Sequence, residues 1–334
     1  MNKRLLGKTG LNVSELALGG FFTSTFGGSF EESRKAIQSA ISLGMNLIDT
    51  APNYANSEEV IGKSLRDFRD DKSLIFCTKI GGKPTPFLPQ DKDCIQRSVE
   101  TSLKLLGRDF IDIMFIHEPD RPKQYNWWTD LNAVEGPALA LLLDLKRQNI
   151  IRHIGLAGTT VYEMAGILQR KHFDVLLTAF NYSLLFREAE RYLIPVAAKQ
   201  GTGVIVGSAL HMGSLAVRYD DEVNNGGQWM SPQRRAQFKA LYHLLDETGM
   251  TLPEMGFRMV LSNPDVSCVL SGIRSEEEVI QNVAIAGKGP LDAALLKRLN
   301  EIADMVPYRP FEEPFALPFG QEYKGPGYVN TSKI

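Results

Sequence analysis

Hydrophobic positions alternate between two periods along most of the chain. Short continuous apolar runs occupy 16–21, 46–51, 74–80, 111–118, 153–158, 174–180, 203–209 and 266–273. Between them, apolar residues recur at helical spacing over 31–43, 57–68, 92–106, 135–148, 161–170, 187–200, 232–247 with 251–262, and 275–285. An unbroken apolar run is what a strand shows when both faces are covered, as in a parallel sheet. Eight strand–helix repeats predict an α/β fold closed into a (β/α)8 TIM barrel, with a doubly wound open sheet as the alternative. Ahead of them, residues 4–16 read as two short strands around Gly7-Lys8-Thr9-Gly10, a β-hairpin. The whole chain, 1–334, reads as one domain.

Several boundaries carry their own chemistry. Ser57 is placed to cap a helix that opens with Glu58 and Glu59. Ser275 and Glu278 have capping-box spacing, and Gly44 follows the first helix as a C-cap glycine should. Three stretches fall outside the repeat: 119–134, which holds two of the three tryptophans, 210–231, and a tail from about 306 rich in Pro, Gly and aromatics. Long loops at the C-terminal ends of barrel strands usually build the substrate pocket.

Composition narrows the picture by exclusion. The chain has 334 residues, 43% hydrophobic and 23% charged, which is ordinary globular usage. A formal net charge of −2 points to no nucleic acid and no anionic membrane surface. No apolar run reaches the roughly 18–20 residues of a membrane-spanning helix. The start, MNKRLLGKTG, lacks the apolar core of a signal peptide. Three widely spaced cysteines, 77, 94 and 268, suit a reducing cytoplasm better than a disulfide framework. The five histidines do not cluster at ligand spacing and HExxH is absent, so no catalytic metal is expected.

Four polar residues stand at strand ends or just beyond. Asp49 closes the run NLID and Tyr54 follows it; Lys79 lies in LIFCTKI and His117 ends IDIMFIH. In a barrel these ends share one mouth, where barrel enzymes hold their catalysis. A lysine inside an apolar strand needs a counter-charge, and Asp49 one strand away is placed to supply it. A phenol has a pKa near 10, and a neighbouring ammonium favours its ionised form. His117 would orient a substrate oxygen. The set suits proton transfer to or from a carbonyl or alcohol oxygen. Hydride transfer needs a cofactor, and a nicotinamide is implied.

The stretches DTAPNY, SEEVIGKSL, TKIGG, DFIDIMFIHEPD and IRHIGLAG resemble the aldo-keto reductase superfamily, over nearly the whole chain up to SGIRSEEEVIQN. The resemblance implies a (β/α)8 barrel with a catalytic tetrad at Asp49, Tyr54, Lys79 and His117. Tyr54 would be the general acid–base, Lys79 with Asp49 would lower its pKa, and His117 would orient the carbonyl. It further implies a cofactor cradle from Gly20 and Asp49, from Ser208, Ala209, Leu210 and Gly213, and from Gly272, Ile273, Arg274, Glu278, Gln281 and Asn282. The pattern departs from the family around the nicotinamide. Ala157-Gly158 stand where a Ser-Asn pair is usual, Asn181 would replace a Gln, and Gly207 takes the place of a stacking aromatic. These departures resemble the L-galactose, L-fucose and D-threo-aldose 1-dehydrogenases.

The cofactor is expected to be NAD or NADP. Glu278 would repel a 2′-phosphate and favours NAD, whereas Arg274 could pair with that phosphate. Phe21, Trp127 and Trp128, with Tyr54 and His117, are the expected substrate contacts. GTGVIVG at 201–207 is not read as a phosphate loop, because it enters a strand where the dinucleotide fingerprint leaves one. The expected activity is aldose oxidation to a lactone. The alternatives are NADPH-dependent aldehyde or ketone reduction and, as in the channel-associated branch, a cofactor-binding regulatory subunit.

Overall fold

A computed structural model describes residues 1–69, 71–310, 313, 314, 316–321 and 323. Two antiparallel strands, β1 (Lys3–Leu5) and β2 (Asn12–Ser14), form the expected N-terminal hairpin. Eight parallel strands then close into a barrel: β3 (Leu16–Gly19), β4 (Leu47–Asp49), β5 (Ile75–Ile80), β6 (Ile111–His117), β7 (Ile151–Gly158), β8 (Val175–Ala179), β9 (Gly203–Gly207) and β10 (Cys268–Gly272). Neighbours follow chain order, and β10 pairs with β3 to complete the ring. The open-sheet alternative is thereby excluded.

Barrel strands carry side chains alternately inward and outward. Leu47, Ile75, Cys77, Ile113, Phe115, Val175, Leu177, Ile205 and Cys268 pack together as an inner core. Continuing that period by two residues from Leu47, Cys77 and Phe115 reaches Asp49, Lys79 and His117. These three polar side chains are therefore the top layer of the barrel interior. At the other end, Leu6 and Val13 of the hairpin segment join the inner core and close the barrel floor. All three cysteines are buried and unpaired. Burial pushes the thiols of Cys77 and Cys268 well above their ordinary value.

Around the barrel lie helices at Phe30–Ser42, Ser57–Ser64, Lys92–Leu106, Pro137–Arg147, Tyr162–Arg170, Pro232–Thr248, Leu252–Leu261 and Glu276–Gly287. Ser29 and Glu32 form a full capping box on the first. Four expectations are revised. Ser57 is a helical residue rather than the cap, because its hydroxyl is drawn inward to donate to the Gly20 carbonyl at 2.6 Å. The expected helix 57–68 ends at Ser64 and continues only as a 3-10 turn, Arg66–Phe68. The expected helix 187–200 is two, Glu188–Tyr192 and Ile194–Gln200, since Pro195 has no N–H to continue the first. Two helices lie where none was expected. Asp220–Asn225 sits within the loop after β9, and Ala293–Asp304, capped by Asp292, precedes the tail.

The hairpin turn makes a sharp prediction. Gly7 has φ +54°, and a Cβ there would lie 2.3 Å from the backbone nitrogen of Gly203 at the start of β9. Gly7→Ala should destabilise the fold by about 2 kcal/mol or more, because strain and overpacking coincide. Thermal unfolding would show a lowered Tm, and an unchanged Tm would mean that the turn does not bear on the barrel.

Candidate active site

Adjacent strands bring Asp49 and Lys79 together. Asp49 stands opposite Cys77 in the β4–β5 register, and Lys79 projects two residues further along the same inner face. The Lys79 Nζ donates to Asp49 Oδ1 at 2.8 Å, to Asp49 Oδ2 at 2.9 Å and to the Thr50 carbonyl at 2.8 Å. All three ammonium hydrogens have acceptors, and both side chains are nearly inaccessible to solvent. Burial alone would lower Lys79, but Asp49 and Tyr54 outweigh it and the net direction is upward. Burial also raises the Asp49 carboxyl, against the pull of Lys79. With two direct hydrogen bonds between them, the pair is an ion pair at neutral pH.

Tyr54 lies in the loop after β4, with the Lys79 Nζ 4.8 Å from its ring centroid. Phe21 meets that ring edge-on at 5.1 Å, and the His117 ring lies 6.2 Å away. The loop is held by a hydroxyl relay: Thr50 Oγ1 donates to Ser57 Oγ at 2.8 Å, and Ser57 Oγ donates to the Gly20 carbonyl. Burial raises the Tyr54 phenol above its ordinary value, and Lys79 only partly offsets this. Lys79 thus acts in the expected direction, while burial, with the Asp49 charge, outweighs it. Burial, followed by the Lys79 charge, pushes His117 well below its ordinary value, so the imidazole is neutral. Beside it, Glu118 is pushed up to about 7 by burial and by Asp120, a titratable neighbour that the strand pattern did not mark.

A cavity of ≈ 530 Å³ opens at this mouth, within the usual range for ligand sites. Tyr54, Asp49 and Phe21 line one part. Gly20, Ser208, Ala209, Leu210 and Gly213 contribute the floor and the loop after β9. Gly272, Arg274, Glu278, Gln281 and Asn282 contribute the wall at β10 and the helix behind it. Most of the expected cradle thus falls on one groove. Two members do not. Ile273 is turned into the core, and Asn181 does not line the groove, its Nδ2 donating to the Thr159 and Ala179 carbonyls at 2.9 Å.

The tryptophans are corrected as well. Trp127 is fully buried and donates from Nε1 to the His117 carbonyl at 2.7 Å, while Trp128 donates to the Pro119 carbonyl at 3.0 Å. They pin the loop after β6 to the barrel rim rather than offering a face to substrate. Phe22 lines the groove beside Phe21, and Tyr219, Phe319 and Gln321 line it without having been expected. Phe319 and Gln321 come from the tail, for which no local pattern exists. Among the described residues, no group of three or more His, Cys, Asp or Glu is placed to hold a metal.

Residues 15–304 match the profile of the Aldo/keto reductase family. The chain belongs to that family. It is 29% identical over 289 residues to L-galactose dehydrogenase of Arabidopsis thaliana, covering 84% of this chain and 86% of the relative. A putative voltage-gated potassium channel subunit beta of Schizosaccharomyces pombe is 27% identical over 338 residues, covering 91% and 94%. The solved holo form of an aldo-keto reductase from Bacillus halodurans superposes with a TM-score of 0.76 at 25% identity, over 92% of this chain and 98% of that one. This aldo/keto reductase is accordingly an NAD(P)-dependent oxidoreductase of small carbonyl compounds. Its groove fits that cofactor class: small residues along the floor, an exposed Arg274 for an anionic centre, and amides at 281 and 282.

Removing the anion of the buried pair tests its structural weight. Asp49→Asn leaves the Lys79 ammonium buried without a counter-charge and should destabilise the protein by about 3–5 kcal/mol. Chemical denaturation of the variant would show this; a loss under about 1 kcal/mol would mean that the ammonium has found other solvation.

Proposed function

We propose that the protein oxidises the anomeric carbon of an aldose to a lactone, with Tyr54, Lys79, Asp49 and His117 as its proton-handling set. The observation that carries this reading is the three-way anchored Lys79 beside the Tyr54 ring, in a mouth that also holds neutral His117. Hydride, which no side chain supplies, would come from or go to a nicotinamide held in the groove. Tyr54 exchanges the proton with the substrate oxygen. Lys79 steadies the phenolate that forms on proton donation, and Asp49 keeps Lys79 charged and in place. His117, being neutral, offers a hydrogen bond without adding a second cation. The similarity to L-galactose dehydrogenase supports a sugar substrate.

The proposed cofactor is NAD. Glu278 lines the groove and holds its carboxylate against the Arg274 backbone N–H at 2.8 Å. That carboxylate can accept hydrogen bonds from a free ribose diol and opposes a 2′-phosphate. The Arg274 guanidinium stacks over Phe22 at 4.3 Å. This stacking gives it a partner other than a phosphate. Reductive use of the same site on an aldehyde is the second reading, favoured by the raised Tyr54 phenol, which stays protonated and ready to donate.

An assay of reduced-nicotinamide absorbance against a panel of aldoses and aldehydes, with each cofactor, separates these readings. Lactone formation with NAD is the expected result; turnover confined to aldehydes with NADPH would overturn the sugar assignment. Tyr54→Phe should lower kcat by about 10²–10⁴-fold, and full activity in that variant would remove Tyr54 from the chemistry. In the reductive direction the acid form must be present. Since the folded phenol lies above its ordinary value, kcat/KM should stay level from neutral pH to about 10 and fall only beyond it. A fall that begins near neutrality would assign the acid to another group.

A further inference from the structure

The described residues 313–321, beyond helix Ala293–Asp304, are anchored to the body of the barrel. Glu313 meets Arg234 of helix Pro232–Thr248 in a bidentate pair at 2.7 and 3.1 Å, and both side chains are buried. The Ser214 hydroxyl donates to the Leu317 carbonyl at 2.7 Å, and the Gly320 N–H donates to the Glu222 carboxylate at 2.8 Å. Between these anchors Phe319 enters an aromatic cage. It stacks on Tyr219 at 4.4 Å and meets Trp229 and Phe238 edge-on at 5.0 and 5.1 Å. The tail is thus bolted to the loop after β9 and to the helix that follows it.

This docked segment reaches the groove. Phe319 and Gln321 line the same cavity as Gly272, Arg274 and Asn282. Tyr219, the stacking partner of Phe319, feels the Arg274 charge, so the segment stands beside the β10 wall that carries Arg274, Gln281 and Asn282. Among the described residues the Gln321 side chain has no hydrogen-bond partner, which leaves an amide donor and acceptor at the groove wall.

We propose that Phe319 and Gln321 are cofactor-contacting residues, and that the tail roofs the adenosine end of the groove. The proposal rests on the reading of this groove as the cofactor site. Phe319 acts by shape, since its ring is held in the cage where it lines the groove. Gln321 acts by hydrogen bonding to the sugar or base. A bound dinucleotide would then be enclosed between the β10 wall and residues 317–321, and its release requires the Phe319 cage to loosen. Trp229, edge-on to Phe319, reports that event.

The experiment compares the full-length protein with Phe319→Ala, Gln321→Ala and Asn282→Ala. It measures the Kd of NADH and NADPH and the rate of NADH release by stopped-flow fluorescence. It also follows amide hydrogen exchange over 316–321 with and without NADH. Phe319→Ala should speed release by about tenfold, the scale of one lost aromatic contact. Gln321→Ala, which leaves the cage intact, should weaken binding about threefold to tenfold, the scale of one lost hydrogen bond. Exchange over 316–321 should slow when NADH binds. If Asn282→Ala weakens binding while both tail variants release NADH at the original rate and exchange is unmoved, the roof is overturned and the groove reading stands. If Asn282→Ala also binds normally, the groove reading itself falls.

Discussion

The Lys79–Asp49 ion pair is the constraint on which the mouth of this barrel depends. It links neighbouring strands β4 and β5 through a buried ammonium whose three hydrogens are all used. A buried charge tolerates little displacement of its partner, because the same low dielectric that strengthens the pair penalises any gap. The register that sets Asp49 opposite Cys77 is therefore tied to the register that sets Lys79 two residues further on. Tyr54 inherits this precision, since its loop is fixed on one side by the Thr50–Ser57–Gly20 relay and faces Lys79 on the other.

His117 is positioned by a different means. It ends β6, and its carbonyl is held by the indole of Trp127, ten residues later in the chain. The loop after β6 thus supports the site from behind. Its aromatic content gives rigidity, and Phe21 rather than either tryptophan lines the cavity. Burial sets the electrostatics throughout. It lowers His117, raises the Tyr54 phenol and brings Glu118 to about 7, all around the buried Lys79 cation.

Much of this was legible in the sequence, and the exceptions have physical causes. All eight barrel strands announce themselves as apolar runs, because both faces of each are covered. The top-layer residues Asp49, Lys79 and His117 stand out as polar interruptions at the ends of those runs. Side-chain direction is what the sequence does not carry. Ile273 and Arg274 are neighbours in one segment, yet one turns into the core and the other toward the groove. Trp127 and Trp128 look like a binding platform until their indole N–H groups are traced to backbone carbonyls. Phe319 is the extreme case, since only tertiary folding brings it to a groove whose other walls begin 300 residues earlier, at Gly19.

The three cysteines have a practical consequence. Cys77, Cys94 and Cys268 are shut within the protein, and burial holds Cys77 and Cys268 in the unreactive thiol form. The folded surface therefore presents no competing nucleophilic sulfur among these residues. A single cysteine introduced at an exposed site would be the one group that a maleimide dye or a solid support captures, so the native background needs no prior removal of thiols.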